Sequence, residues 1–139
     1  MQMTVRDWMI NLVLYVDPEA TVTEALGVMR RRYVDSLIVS KTQTNPEVGI
    51  VTSIDICDKI VAQHRNPTKT KIKEIMNQPL FTVNQNLTIQ ECAAIMKEKR
   101  IHHLPVADDS GNLVGMIAAT DFLVVAESLG HNGDERALS

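Results

Sequence analysis

Aromatic residues make up only 4% of this 139-residue chain. So few stacking surfaces argue against the base-binding platforms of single-strand nucleic-acid proteins. The core must be aliphatic, built from Ile, Val, Leu, Met and Ala. No apolar run approaches the roughly 18 residues a membrane span needs. The start, Met1-Gln2-Met3-Thr4, lacks the charged-then-apolar pattern of a secretory signal. Cysteine is scarce as well: Cys57 and Cys92 both sit inside apolar helical patterns and read as small buried reduced side chains. A cytoplasmic location is the default expectation. Net charge is -3, so nothing pulls the chain as a whole toward nucleic acid or an anionic membrane. The hydrophobic fraction of 45% against 22% charged suits a soluble globular protein with a real core.

What is present is a repeat. Val5-Arg6-Asp7-Trp8-Met9 matches Ile72-Lys73-Glu74-Ile75-Met76 in charge and apolar pattern. Thr21-Val22-Thr23-Glu24-Ala25 then aligns with Thr88-Ile89-Gln90-Glu91-Cys92, Met29 with Met96, Leu37 with Leu104 and Val39 with Val106. After a loop one residue shorter in the second half, Val48-Gly49 aligns with Val114-Gly115, and Asp55 with Asp121. The boundaries expected are 4–64 for the first copy, 65–70 for a linker carrying Pro67, 71–129 for the second copy and 130–139 for a disordered polar tail.

Each copy reads as helix, strand, strand, helix. Thr21 with Glu24, and Thr88 with Glu91, form capping boxes. The stripes Val22, Ala25, Leu26, Met29 and Ile89, Cys92, Ala93, Met96 follow at helical spacing. Arg30-Arg31-Arg32 and Lys97-Glu98-Lys99-Arg100 close these helices, where cations suit the helix dipole. Strands are expected over 36–40, 48–52, 104–107 and 113–118. In the second helices, Ile54, Cys57, Ile60 and Val61 supply one apolar face and Phe122, Leu123, Ala126 and Leu129 the other. A copy of roughly 60 residues buries too little surface to be comfortable alone, so the two are expected to pack through their sheets.

These segments resemble a known family. Ile101-His102-His103-Leu104-Pro105-Val106, the Asp108-Asp109-Ser110-Gly111-Asn112 turn, Leu113-Val114-Gly115-Met116-Ile117 and Asp121 look like the second half of a CBS domain. Val48-Gly49-Ile50-Val51-Thr52-Ser53-Ile54-Asp55 looks like the matching piece of another. The resemblance runs from about Thr4 to about Leu129. It implies an α/β (α+β) fold of two CBS domains, each a small sheet with two helices on one side, paired by pseudo-twofold symmetry as a Bateman module. Such modules commonly dimerise into a disc. They often bind AMP, ADP, ATP or S-adenosylmethionine in clefts between the domains, and they regulate enzymes, channels and transporters. The partners expected are therefore a second copy, an adenosine-containing ligand and an effector protein, with no required cofactor.

Thr52 and Asp55 form T-x-x-D at a strand-to-helix junction. A carboxylate can accept hydrogen bonds from both ribose hydroxyls, and a helix start favours phosphate. The resemblance implies this Asp for ribose and this Thr near phosphate; Ser53 adds a hydroxyl at the helix start and is counted with the ligand-binding residues. An ordinary helix cap has the same spacing. The second copy departs from the pattern: Ala118 stands where the family has Thr or Ser, Thr120 could supply a hydroxyl, and Asp121 keeps the ribose role possible. His102 and His103 lie at the cleft-lining position, followed by Leu104 and Pro105, with Asp35 and Ser36 matching in the first copy. An imidazole can donate to a phosphate and gain charge in the physiological range; surface or satisfied histidines remain the alternative. By position, Tyr15 and Val16, and Phe81, Thr82 and Val83, would line adenine, although Val16 and Val83 also suit plain core packing.

No Gly-rich phosphate loop, metal-ligand spacing or Ser-His-Asp set is visible. The chain is expected to be a non-catalytic sensor, or else a ligand-free scaffold for protein contacts. With no effector domain in these 139 residues, its output is expected to act on a separate chain.

Overall fold

The computed structural model describes residues 3–131. They form two compact units, one of Val13–Phe81 and one of residues 3–12 with 82–131. The expected tail lies outside the described residues from position 132 onward, while Gly130 and His131 close the last helix.

The packed units cut across the sequence copies. Helix α1 (Val5–Trp8) opens the chain but packs in the second unit, where the Val5 N–H donates to the Leu87 carbonyl at 2.9 Å and Arg6 N–H to Gln85 at 2.9 Å. Its repeat counterpart, the 3-10 turn Ile72–Glu74, packs in the first unit, with Ile72 N–H on Ala20 at 2.9 Å and Lys73 N–H on Pro18 at 3.0 Å. Val5 and Ile72 are both fully buried, so each leading segment supplies core to the unit that the other copy's strands build. The compact units therefore do not follow the boundaries 4–64 and 71–129 expected in sequence: they exchange the leading segments. Glu19 pairs with Lys71 at 3.0 Å and Lys73 at 2.8 Å, which fastens the 71–74 segment to the first unit. Those hydrogen bonds, Lys73 first, hold the Glu19 carboxyl below the usual carboxylate range.

In the first unit, β1 (Tyr15–Val16) runs parallel to β2 (Ser36–Val39), which is antiparallel to β3 (Gly49–Thr52). In the second, β4 (Val83–Asn84) is parallel to β5 (His103–Ala107), and β5 is antiparallel to β6 (Leu113–Ala118). Helix α2 (Val22–Arg32) starts at Thr21, whose hydroxyl accepts from Glu24 N–H at 3.1 Å, and ends at Tyr33 in the left-handed region, φ 55°. Helix α4 (Ile89–Lys99) repeats this with Thr88 and Glu91, and ends at Arg100, φ 54°. Alternation along a strand sends Leu37 and Val39 to one face, where they meet Val22, Ala25 and Met29; Leu104 and Val106 meet Ile89, Cys92 and Met96. Ala93, expected on that stripe, is exposed.

The second helices turn differently from the expectation. After α3 (Ser53–Asp55) the chain continues as a π-helix over Ile56–Val61, closed by i→i+5 bonds such as Ala62 N–H to Cys57 at 2.9 Å. The wider turn brings Ile56 and Ile60 onto the core and leaves Ile54, Cys57 and Val61 facing out. Cys57 is therefore exposed, and only Cys92 is buried. In α5 (Asp121–His131), Phe122 and Val125 pack inward, while Leu123, Ala126 and Leu129 are exposed. In both units one sheet face carries the paired helices. No helix among the described residues is long and apolar enough to cross a membrane.

The glycine shared by β3 and β6 serves a close approach. A Cβ at Gly49 would stand 2.9 Å from the Asn77 carbonyl oxygen, and one at Gly115 would stand 2.5 Å from that of Ile10. Each bare backbone admits a crossing segment that pairs with the next residue: Ile50 bridges Asn77, and Met116 bridges Ile10.

Candidate functional site

The same scaffold presents an aspartate at the end of the last strand of each unit. Register places Ser36 beside Thr52 and His103 beside Ala118. Beyond these pairs, Ser53 N–H donates to the Asp35 carbonyl at 2.9 Å, and Ala119 N–H to the His102 carbonyl at 2.8 Å. The helix then turns back, and its aspartate accepts from the strand-end amide: Thr52 N–H to Asp55 Oδ2 at 2.9 Å, Ala118 N–H to Asp121 Oδ2 at 2.7 Å. The first unit thereby gathers Asp35, Ser36, Thr52, Ser53 and Asp55, and the second His102, His103, Ala118, Thr120 and Asp121.

From there the two sites differ. Asp55 is only 6% exposed. Besides the Thr52 amide it accepts from the Thr52 hydroxyl at 3.3 Å and from the Asn77 amide nitrogen, 2.9 Å from each oxygen. Lys59 Nζ lies 3.0 Å from Asp55 Oδ1 and also donates to the Ile75 carbonyl at 2.8 Å and Asn77 Oδ1 at 3.2 Å. Asp121 is half-buried, and its carboxylate accepts one hydrogen bond among the described residues, from the Ala118 amide. The bridges that flank Gly49 and Gly115 make Ile10 the counterpart of Asn77. Four residues after the aspartate stands Lys59 in one unit and buried Val125 in the other.

Of the other residues singled out in sequence, Val16, Val83 and Leu104 are buried members of the two cores, so only their backbone remains to meet a ligand. Pro105 is buried as well. Tyr15, Phe81 and Thr82 are exposed, His102 and Thr120 are exposed, and His103, Ser36 and Thr52 are half-buried. Asn77 and Lys59 were missed in the sequence; the repeat offset that pairs Asn77 with Ile10 is the signal that could have found the first. Among the described residues, no three His, Cys, Asp or Glu side chains are grouped to hold a metal ion.

The sequence profile of the CBS domain matches residues 5–62 and 72–128. The chain belongs to the CBS-domain family. It is 33% identical over 113 residues to an uncharacterized protein of Methanopyrus kandleri, covering 81% of this chain and 57% of that one. It is 31% identical over 121 residues to the CBS domain-containing protein YhcV of Bacillus subtilis, covering 87% and 84%. The chain thus spans little more than half of the Methanopyrus relative and most of the Bacillus one. Among solved structures, the hexameric CBS-CP12 protein from bloom-forming cyanobacteria superposes with a TM-score of 0.82 at 27% identity, covering 99% of this chain and 83% of that one. The CBS domain pair of protein MJ0100, in complex with 5-methylthioadenosine and S-adenosyl-L-methionine, gives 0.78 at 23% identity, covering 92% and 98%. That last likeness is one of fold. This chain is a tandem CBS pair, with each domain a three-stranded mixed sheet and its helices.

Proposed function

We propose that this CBS pair is a non-catalytic regulatory module that binds an adenosine-containing ligand and passes the bound state to a partner protein. AMP, ADP, ATP and S-adenosylmethionine are the ligands to consider. The observation that carries the reading is Asp121, a half-buried carboxylate at the end of β6 that accepts a single hydrogen bond among the described residues. Such a group can accept from two neighbouring ribose hydroxyls at once. It opens α5, an eleven-residue helix whose dipole favours negative charge nearby. His102 and His103 stand on the neighbouring strand end and can donate to a phosphate. The MJ0100 pair shows that the fold accommodates two adenosyl compounds in another protein.

A ligand bound only to the native state raises the melting temperature by mass action. A thermal-shift screen with adenosine, AMP, ADP, ATP, S-adenosylmethionine and 5-methylthioadenosine tests the reading. At least one should raise the melting temperature in a concentration-dependent way. No shift from any of them at millimolar concentration would leave the second reading, a ligand-free scaffold. That reading draws on the apolar side chains Leu123, Val124 and Leu129, which are more than half exposed on α5. The same side chains support a homodimer as the working assembly; oligomers exist among relatives, as the hexameric cyanobacterial protein shows.

A further inference from the structure

We infer that the two repeat-related aspartates have divided their roles: Asn77 and Lys59 close Asp55 from within, only Asp121 stays open, and each chain takes one adenosine ligand rather than two. The inference rests on the ligand reading above and deepens it.

A carboxylate offers about four acceptor positions. At Asp55 the Thr52 amide, the Thr52 hydroxyl, the Asn77 amide and the Lys59 ammonium group fill them, in a site only 6% exposed. The Asn77 amide nitrogen stands 2.9 Å from both oxygens, where a pair of sugar hydroxyls would otherwise donate. Lys59 matches the negative charge in place, so a neutral ribose that displaced Asn77 would gain no charge-assisted bond that the protein lacks already.

The fold holds the clamp together. Gly49 has no Cβ, which lets the backbone of Asn77 pair with Ile50 through bonds of 3.1 and 2.9 Å. That pairing delivers the Asn77 side chain to Asp55. Lys59 reaches in from the π-helix and is anchored a second time on the Ile75 carbonyl. The second unit repeats the glycine, the bridge and the aspartate, but carries Ile10 and Val125 at the two clamp positions. Neither side chain has a donor. The scaffold is shared, and two residues decide which copy of the carboxylate can meet a ligand.

Isothermal titration calorimetry of the full chain with AMP and with S-adenosylmethionine reads the stoichiometry. The expected result is one site per chain, with affinity reduced at least tenfold in Asp121→Ala. The double variant Asn77→Ile with Lys59→Val gives the first unit the clamp residues of the second, and should raise the stoichiometry toward two. Two sites in the unaltered chain, or one site that survives Asp121→Ala, would overturn the inference. So would a folded double variant that still takes one ligand. If the double variant does not fold, the unaltered stoichiometry and Asp121→Ala decide, together with a ligand-bound crystal structure, where a ribose on Asp55 counts against and a ribose on Asp121 alone counts for it. Absence of binding by both probes to the unaltered chain would instead defeat the ligand reading itself, and this inference with it.

Discussion

Gly115 lies directly against Ile10: a methyl group on the glycine would come within 2.5 Å of the Ile10 carbonyl oxygen. The corresponding distance from Gly49 to the Asn77 oxygen is 2.9 Å. Both contacts are with backbone that is itself held in a two-bond bridge, so neither neighbour can simply rotate away. Gly115→Ala should destabilise the protein by about 2–3 kcal/mol and Gly49→Ala by about 1–2 kcal/mol, the usual range for overpacking. Urea unfolding with an unchanged m-value checks this. An alanine variant as stable as the parent would mean that the crossing segment is not pinned there.

Asp55 and Asp121 should separate in stability. Asp55→Ala strands Lys59 and leaves the Thr52 and Asn77 donors without their acceptor. A cost of about 3 kcal/mol is expected, the low end for a broken buried pair, because the Lys59 side chain keeps 35% of its exposure. Asp121→Ala loses one bond to a backbone amide and should cost about 1 kcal/mol. Equal losses in paired urea titrations would contradict the contrast drawn between the two sites.

The two thiols should react at very different rates. Cys57 is exposed on the π-helix, whereas Cys92 is fully buried and burial pushes its thiol up to about 11. A thiol reagent at neutral pH should label Cys57 quickly and Cys92 only on unfolding. The sign of the pH effect follows from the raised value. Stability from the protonated Cys92 is complete below the ordinary thiol value of 9.0 and declines as pH climbs toward 11. Mass spectrometry that finds both cysteines modified in the first phase would place Cys92 at the surface.

A dimer should form through the outward face of α5. Leu123 is 70% exposed and Val124 56%, and repeated apolar patches of this kind favour symmetric association. Light scattering at tens of micromolar, an order-of-magnitude choice above typical dimer constants, should give twice the chain mass. Leu123→Glu combined with Val124→Glu should return the mass of one chain. A monomeric parent protein would remove α5 as the contact.

Local features were legible in the sequence because local chemistry specifies them. The Thr21/Glu24 and Thr88/Glu91 caps formed as their spacing required, and the stripes at 22, 25, 29 and 89, 92, 96 became core. Three features were hidden for physical reasons. Asn77 reaches Asp55 across 22 residues, and no local pattern encodes such a contact. Residues 54–61 are apolar in a way that α and π turns both satisfy, yet the π turn moves Cys57 outward and Ile56 inward. The leading segments Val5–Met9 and Ile72–Met76 are so alike that either pattern could pack on either copy. Both strand-terminal aspartates stand out in the sequence, but Thr52 in one copy and Ala118 in the other do not say which is clamped and which is open.

The exchange of leading segments also sets an order of events on the ribosome. Every residue of the first unit, Val13–Phe81, has been made before β5 and β6, so that unit can close while synthesis continues. Residues 3–12 are made before the first unit but pack with residues made after it. Val5, Trp8 and Met9 must wait until α4, β5 and β6 exist before they have a core to enter. The second unit thus closes after the first, through contacts such as Ile10 with Met116 that are far apart in sequence, a slow class of closure.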